Sequence, residues 1–135
     1  VMQRVADLQG QIFRFTPAPM AIDPKLKKDS ESGTYDDEDT RRIDIGAWVF
    51  DQKDPKDLLD TVVHEQFHAY QHQKYHDERR GVLPADHPLA PAARRWLHNA
   101  KHYTEQEKND QKYRAQPLEN HAWTAAAALM KLLKR

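Results

Sequence analysis

The longest regular pattern of apolar residues lies in the middle of the chain. Apolar side chains recur there at the three- and four-residue spacing of a helix, at Leu58, Leu59, Val62, Val63, Phe67 and Tyr70. We expect one long helix over residues 55–78, with Asp54 as its N-cap and Pro55 in its first turn, where no backbone N–H is needed. Gly81 and Pro84 follow it and predict its end.

Helical patterns also dominate the second half of the chain, whereas the strand patterns precede the long helix. Residues 92–111 are expected to form a second long helix. Pro117 opens a last helix, in which the alanine run 125–128 strongly favours helical backbone. Residues 41–50 are the best strand candidate, because apolar and polar residues alternate at their start.

Shorter patterns occupy the beginning of the chain. Residues 1–10 predict an amphipathic helix ended by its glycine, and residues 11–15 alternate weakly, as a strand does. Three prolines make residues 16–24 irregular, and the acidic segment 25–40 is expected to be an exposed loop or hairpin tip. We therefore expect residues 1–135 to form a single α+β domain that is mostly helical.

Composition excludes several classes of partner and chemistry. The 21 basic and 21 acidic residues balance, so nothing in the charge calls for a nucleic acid or an anionic membrane as partner. No apolar run approaches the length of about 18 residues that a membrane-spanning helix needs. The chain has no cysteine, which excludes disulfides, thiolate catalysis and Cys-ligated zinc. Any zinc must be held by histidines and carboxylates.

The long helix contains the sequence His-Glu-Gln-Phe-His at residues 64–68. Residues four apart on a helix lie on the same face, with Cβ atoms about 5–6 Å apart, so His64 and His68 can bind one Zn²⁺ ion. Glu65 projects from the neighbouring face, where it can reach a water on the ion. Both histidines lie beside the apolar stripe, where a closed metal site can form.

Two further histidines continue the four-residue series. Each step of four advances about 40° around the helix, so His72 lies about 80° and His76 about 120° from His64. Only the first pair can readily share a tetrahedral ion. We expect His72 and His76 on a solvated flank, with support of a ligand by His72 as the alternative.

A catalytic zinc needs a third protein ligand. The downstream candidates are His87, His98, His102, Glu105, Glu107, Glu119 and His121. We favour Glu119, because it lies two residues after Pro117 in the first turn of a helix, where the helix dipole favours a carboxylate. His121 is the second candidate, and His98 with His102 could form a competing site.

Together these residues resemble small gluzincin-type zinc metallopeptidases. In such bacterial domains the H-E-x-x-H helix is followed by a Y-x-x-x-P-x-E-x-x-A helix, a pattern that residues 113–122 match. The resemblance covers residues 41–130 at most. It implies a minimal zincin-like core with a small N-terminal sheet, the H-E-x-x-H helix and a C-terminal helix. In this core Glu119 is the third Zn²⁺ ligand, and Ala122 lets the two helices pack closely.

The resemblance also implies hydrolysis of a peptide bond by a zinc-activated water. Glu65 would act as the general base and pass the proton to the leaving amine. Tyr113 is the first candidate for a second donor to the carbonyl oxygen, because it lies near Glu119 in sequence, and Tyr103 and His121 are the alternatives.

Two supporting roles stay open at the level of sequence. Asp60 or another carboxylate could orient a ligand imidazole through a hydrogen bond. The strand at residues 43–50 would pair with an extended substrate by strand addition, or it is a plain core strand.

The chain's size, its start at Val1 and its lack of a signal-peptide-like apolar segment resemble metallopeptidase toxin domains at the C-termini of bacterial polymorphic toxins. This resemblance implies a piece of a longer polypeptide that is secreted or delivered into a target cell. It also implies a protein or peptide substrate and an immunity or inhibitor protein.

Two other functions remain open. The first alternative is a non-catalytic, zinc-stabilised helical binding module, in which His72 or His121 would close the site as a fourth ligand. The second is hydrolysis of a non-peptide amide.

Overall fold

The computed structural model has a mostly helical α+β fold, which confirms the class expected from the sequence. It describes residues 2–25, 33–35, 41–51, 56–105 and 108–133. Along them the elements are α1 (Met2–Phe13), β1 (Met20–Asp23), β2 (Gly33–Tyr35), β3 (Ile43–Gly46), a 3₁₀ turn (Ala47–Asp51), α2 (Lys56–Arg79), α3 (Ala90–Lys101), α4 (Asp110–Ala115) and α5 (Pro117–Leu133).

β3 is the central strand of the three-stranded sheet. It pairs in parallel with β1 on one side and antiparallel with β2 on the other. Ile43 and Ile45 of β3 are fully buried, and Val49 of the following 3₁₀ turn joins the same core. The strand is therefore shorter than the predicted 41–50, because the chain turns at Ala47 and folds Val49 inward.

The position of β3 contradicts one hypothesis about substrate binding. Strand addition needs a free edge with unpaired backbone N–H and C=O groups. Both edges of β3 are already paired, so the prediction that residues 43–50 receive an extended substrate is wrong. The alternative, a core strand, is confirmed by the complete burial of its isoleucines.

α1 is longer than its sequence suggests. The sequence predicts an end at Gly10 and a strand over 11–15, but the helix continues to Phe13. Phe13 packs on two aromatic rings of α2, with centroids 5.6 and 5.5 Å away, and this contact stabilises the extra turn. Gly10 does not end the helix but makes room for the chain that follows it. A Cβ there would lie 2.8 Å from the carbonyl oxygen of Phe15.

α2 is the central helix of the fold. It is packed against α1 and the sheet in one apolar cluster and against α3 and α5 in another. It ends at Arg79, one residue beyond the predicted end. Its predicted first residues, Asp54 and Pro55, lie outside the described part of the chain. So does most of the segment 25–40 expected as a loop, although its middle forms β2.

A buried glutamine of α2 ties the helix to the chain before β1. The Gln66 side chain donates from Nε2 to the carbonyl oxygen of Ala18 at 2.8 Å and accepts from the N–H of Ala18 at 2.9 Å. Gln66 is fully buried, so water cannot replace these bonds. The pair fixes the position of the irregular segment over α2.

Replacing Gln66 with leucine is expected to lower the free energy of unfolding by about 2–4 kcal/mol, because it leaves two buried backbone groups unpaired. Urea denaturation of the metal-free protein measures the loss. Gln73→Leu is the matched control, since Gln73 makes one exposed hydrogen bond to Thr16, and it should cost less than about 1 kcal/mol. Equal losses of unfolding free energy in the two variants would contradict a structural role for the bonds between Gln66 and Ala18.

α3 ends earlier than the predicted 92–111 because its C-terminal region is tied to a buried amide. The Gln116 side chain accepts from Asn99 at 2.7 Å and from the N–H of Thr104 at 3.1 Å, and it donates to the carbonyl oxygen of Thr104 at 2.8 Å. These bonds hold Thr104 in a non-helical conformation after Lys101.

The last helix begins where its sequence predicts. α5 opens at Pro117, and its run of small residues lets it lie close to α2, with Ala122 fully buried and Ala126 nearly so. No helix among the described residues combines the length and the hydropathy needed to span a membrane.

Candidate metal centre

The candidate centre lies between α2 and α5. α5 is positioned at its first turn, where the N–H of Leu118 donates to Asn99 at 2.8 Å and the carbonyl oxygen of Leu118 accepts from Gln71 at 3.1 Å. These bonds fix the next residue, Glu119, which is only 2% exposed and directed at α2.

His64, His68 and Glu119 meet at one point. The two Nε2 atoms are 3.1 Å apart, and the Glu119 oxygens lie 3.3 Å from Nε2 of His64 and 3.2 Å from Nε2 of His68. Ligand atoms about 2.0–2.1 Å from a tetrahedral zinc ion are about 3.3 Å from one another. The three separations therefore fit the ligand set of one zinc ion.

Glu65 lies beside this set. One ligand atom each of His64, Glu65 and His68 falls within a mutual distance of 4.8 Å, so these three residues alone could also hold a metal. Glu119 fits the ligand role better, because it is nearly fully buried and already in contact with both imidazoles, whereas Glu65 is half-buried. A Cβ on Gly33 of β2 would lie 3.3 Å from Cγ of Glu65, so β2 restrains the stem of this carboxylate.

Two tyrosines reach the same carboxylate. The hydroxyl of Tyr103 donates to Glu119 Oε2 at 2.7 Å, and the hydroxyl of Tyr113 donates to Oε1 at 3.1 Å. Burial, reinforced by the charge of Glu119, raises the pKa of both hydroxyls well above the usual range. Both remain protonated donors at neutral pH, and Tyr103, the alternative in the sequence, is the closer one.

The metal-free centre is an ion pair. Burial opposes ionisation of Glu119, but hydrogen bonds from His64 and His68 hold the pKa of its carboxyl well below the usual range. Burial also opposes a charge on His68, yet the bond to Glu119 and the charges of Glu65 and Glu119 raise the pKa of its imidazole to about 9. A charged His68 therefore faces the carboxylate of Glu119 at 3.2 Å in the metal-free chain.

The remaining candidates lie elsewhere. His121 accepts a hydrogen bond from the indole N–H of Trp96 at 2.9 Å, and burial lowers the pKa of its imidazole. This bond holds His121 against α3, so it is neither the third ligand nor an oxyanion donor in this conformation. Of the other described candidates, His87 accepts from the N–H of Leu89 and Glu105 is exposed. His98 and His102 pack on each other. Glu107 lies outside the described residues.

His72 and His76 are half-buried, so the prediction of a solvated flank is wrong for both. Nδ1 of His72 lies 2.6 Å from the hydroxyl of Tyr75, and the ring of His72 packs on Tyr35 of β2. The ring of His76 packs on Tyr75 of the same helix, with the two centroids 4.6 Å apart.

The two candidate ligand imidazoles differ in the hydrogen bonding of their second ring nitrogen, Nδ1. Nδ1 of His68 is bonded to Gln71 at 2.9 Å. An amide three residues along the helix therefore orients this candidate ligand, where the sequence suggested a carboxylate. Nδ1 of His64 is buried without a hydrogen-bond partner among the described residues, and its ring packs on the half-exposed indole of Trp123 at a centroid distance of 4.5 Å.

The donor set of two imidazoles and one carboxylate, with a second carboxylate and two phenols beside it, can support metal-assisted acid–base chemistry. Comparison with protein-family models, with curated proteins and with solved structures gives no match to this chain. The resemblance to small gluzincins therefore stays a prediction, and the function has to be argued from the residues of the centre.

Proposed function

We propose that the chain is a zinc-dependent metallopeptidase with His64, His68 and Glu119 as the metal ligands. The observation that carries the proposal is the meeting of these three side chains at separations of 3.1–3.3 Å, with the carboxylate of Glu65 alongside. Two imidazoles and one carboxylate form a common ligand set of catalytic zinc, which leaves a fourth position for water.

Bound zinc would polarise the scissile carbonyl and lower the pKa of the attacking water toward about 7. Glu65 accepts the proton of this water as the new C–O bond forms, and then delivers it to the amine as the C–N bond breaks. Tyr103 and Tyr113 stay protonated beside Glu119, so either hydroxyl can turn to donate to the carbonyl oxygen in the transition state.

The narrower parts of the proposal rest on sequence. The zincin-like core rests on the order of a small sheet, the H-E-x-x-H helix α2 and the helix α5 that carries Glu119. A bacterial toxin effector domain, with a protein or peptide substrate and an immunity or inhibitor protein as partner, follows from the sequence resemblance alone.

A second function is favoured by one observation. His64 is 9%, His68 is 8% and Glu119 is 2% exposed, so the ligands offer little surface to a substrate. Such a buried centre also suits a zinc ion that only stabilises a helical binding module. The two functions differ in whether the zinc-loaded protein hydrolyses peptides.

Zinc titration with a proteolysis assay tests the proposal. The metal-free protein should bind about one zinc ion per chain and then cleave an unfolded protein substrate, with the activity lost on chelation. His64→Ala should bind zinc at least about 100-fold more weakly and lose cleavage, whereas His76→Ala, further along the same helix, should keep both properties. Zinc binding without cleavage would favour the binding module, and absence of zinc binding would refute both.

A further inference from the structure

His64 is unusual because its second ring nitrogen, Nδ1, has no hydrogen-bond partner among the described residues. A metal-ligating histidine normally donates its second ring N–H to a fixed acceptor, which sets its tautomer and orientation. His68 follows this rule. Gln71 donates from Nε2 to the carbonyl oxygen of Leu118, so its Oε1 faces Nδ1 of His68 and accepts from it. Nε2 of His68 is left for the metal.

Among the residues that the structure describes, His64 has no such acceptor. Its Nδ1 is buried and has no hydrogen-bond partner among the described residues. With a metal on Nε2, this Nδ1 would carry the proton as an unsatisfied buried donor. An unsatisfied buried donor is unfavourable, so other contacts must hold the ring in place.

We propose that Trp123 is the positioning residue of His64 and takes the place of the missing hydrogen bond by packing on its ring. Its indole lies 4.5 Å from the imidazole between centroids, at an interplanar angle of 46°. On the other side, the His64 ring meets His68 edge-on at 4.6 Å. Trp123 lies one helical turn after Glu119, so α5 provides both a ligand and the residue that holds another ligand.

The half-exposure of Trp123 agrees with this role. The indole is 50% exposed, so burial in a core does not account for its position. Glu119, one turn earlier on α5, pairs with His64 through Nε2, at 3.3 Å. The exposed neighbours of Trp123 on α5 are uncharged: Asn120, Thr124 and Ala127. The tilted ring contact limits the rotation of His64 and keeps its Nε2 beside Glu119 and His68.

Zinc affinity of matched variants tests the role without any activity assay. Trp123→Ala should raise the zinc dissociation constant about 10–100-fold, the range found when residues that support metal ligands are lost. Trp123→Phe keeps a ring and should stay within about threefold of the parent chain. Thr124→Ala, an exposed neighbour on the same helix, is the control and should leave zinc affinity unchanged.

A double-mutant cycle separates positioning from general stability. Trp123→Ala should weaken residual zinc binding further in a His68→Ala background, but not in a His64→Ala background, where its target is gone. The melting temperature of the metal-free Trp123→Ala variant should remain within a few degrees of the parent chain. An equal effect in both backgrounds, or unchanged zinc affinity in Trp123→Ala, would overturn the proposal.

This inference rests on the zinc-binding part of the proposed function and not on hydrolysis. If the parent chain does not bind zinc, the proposed function and this role both fail. If it binds zinc and the Trp123 variants bind equally well, the role of Trp123 alone is refuted.

Discussion

Replacing Glu65 with glutamine is expected to reduce kcat/KM for a peptide substrate by about 10³–10⁴-fold while one zinc ion per chain stays bound. Glutamine keeps the shape of the side chain and its contact with β2 at Gly33, but its amide cannot take a proton from water. Hydrolysis kinetics of the zinc-loaded variant and its metal content are measured on the same preparation.

Glu78→Gln is the matched control for this experiment. Glu78 lies on the same helix and forms an ion pair with Arg94 at 3.5 Å, outside the centre, so its variant should keep full activity. Full activity of Glu65→Gln would exclude the proposed mechanism. Loss of zinc together with activity would show instead that Glu65 is a ligand, as its distance from the two imidazoles allows.

The parts of the centre that follow local rules could be predicted from the sequence. The four-residue spacing brings His64 and His68 to one face of α2, whatever the rest of the chain does. Pro117 predicts a helix start, and this start carries Glu119 toward α2. The bond from Gln71 to His68 is also local, because three residues along a helix lie within reach, but the sequence analysis looked for a carboxylate there.

The residues that the sequence gives only as alternatives, or assigns no role, depend on contacts between distant elements. Tyr103 reaches Glu119 only because α3 ends at Lys101, and that end is set by the bonds between Gln116 and Thr104. The spacing of apolar residues along a helix gives no sign of the buried Gln116 amide. The sequence assigns Trp123 no role, because its contact with the His64 ring can be seen only in three dimensions.

The errors in the fold have the same origin. Residues 11–13 carry a weak alternation that favours a strand, and packing of Phe13 on α2 overrides it. Residues 43–46 were correctly predicted as a strand, but their place in the sheet depends on partners far apart in the sequence. Strand order, and with it the edge that a substrate could use, has no local signature.

Replacing Glu119 with alanine is expected to have the largest effect on the centre itself. It removes a zinc ligand, so the zinc dissociation constant should rise at least about 100-fold. It also leaves the hydroxyls of Tyr103 and Tyr113 and the proton of His68 without their common acceptor. Glu105→Ala, an exposed carboxylate of the same region, is the control and should retain parent affinity and stability.

The loss of stability in the metal-free Glu119→Ala variant should depend on pH. In the parent chain Glu119 contributes to raising the pKa of His68 from 6.5 to about 9, so the ion pair stabilises the fold fully below pH 6.5 and is lost as the pH rises through 9. At low pH the ion pair persists until Glu119 itself gains a proton, which happens well below the usual pKa of a glutamate.

We therefore expect Glu119→Ala to lower the free energy of unfolding by about 2–4 kcal/mol at pH 6, because one partner of a buried pair is missing. The loss should be smaller at pH 9.5, where only the tyrosine hydrogen bonds are lost. Urea denaturation at the two pH values measures the difference, and a cost that is the same at both would mean that His68 and Glu119 do not form an ion pair in the metal-free protein.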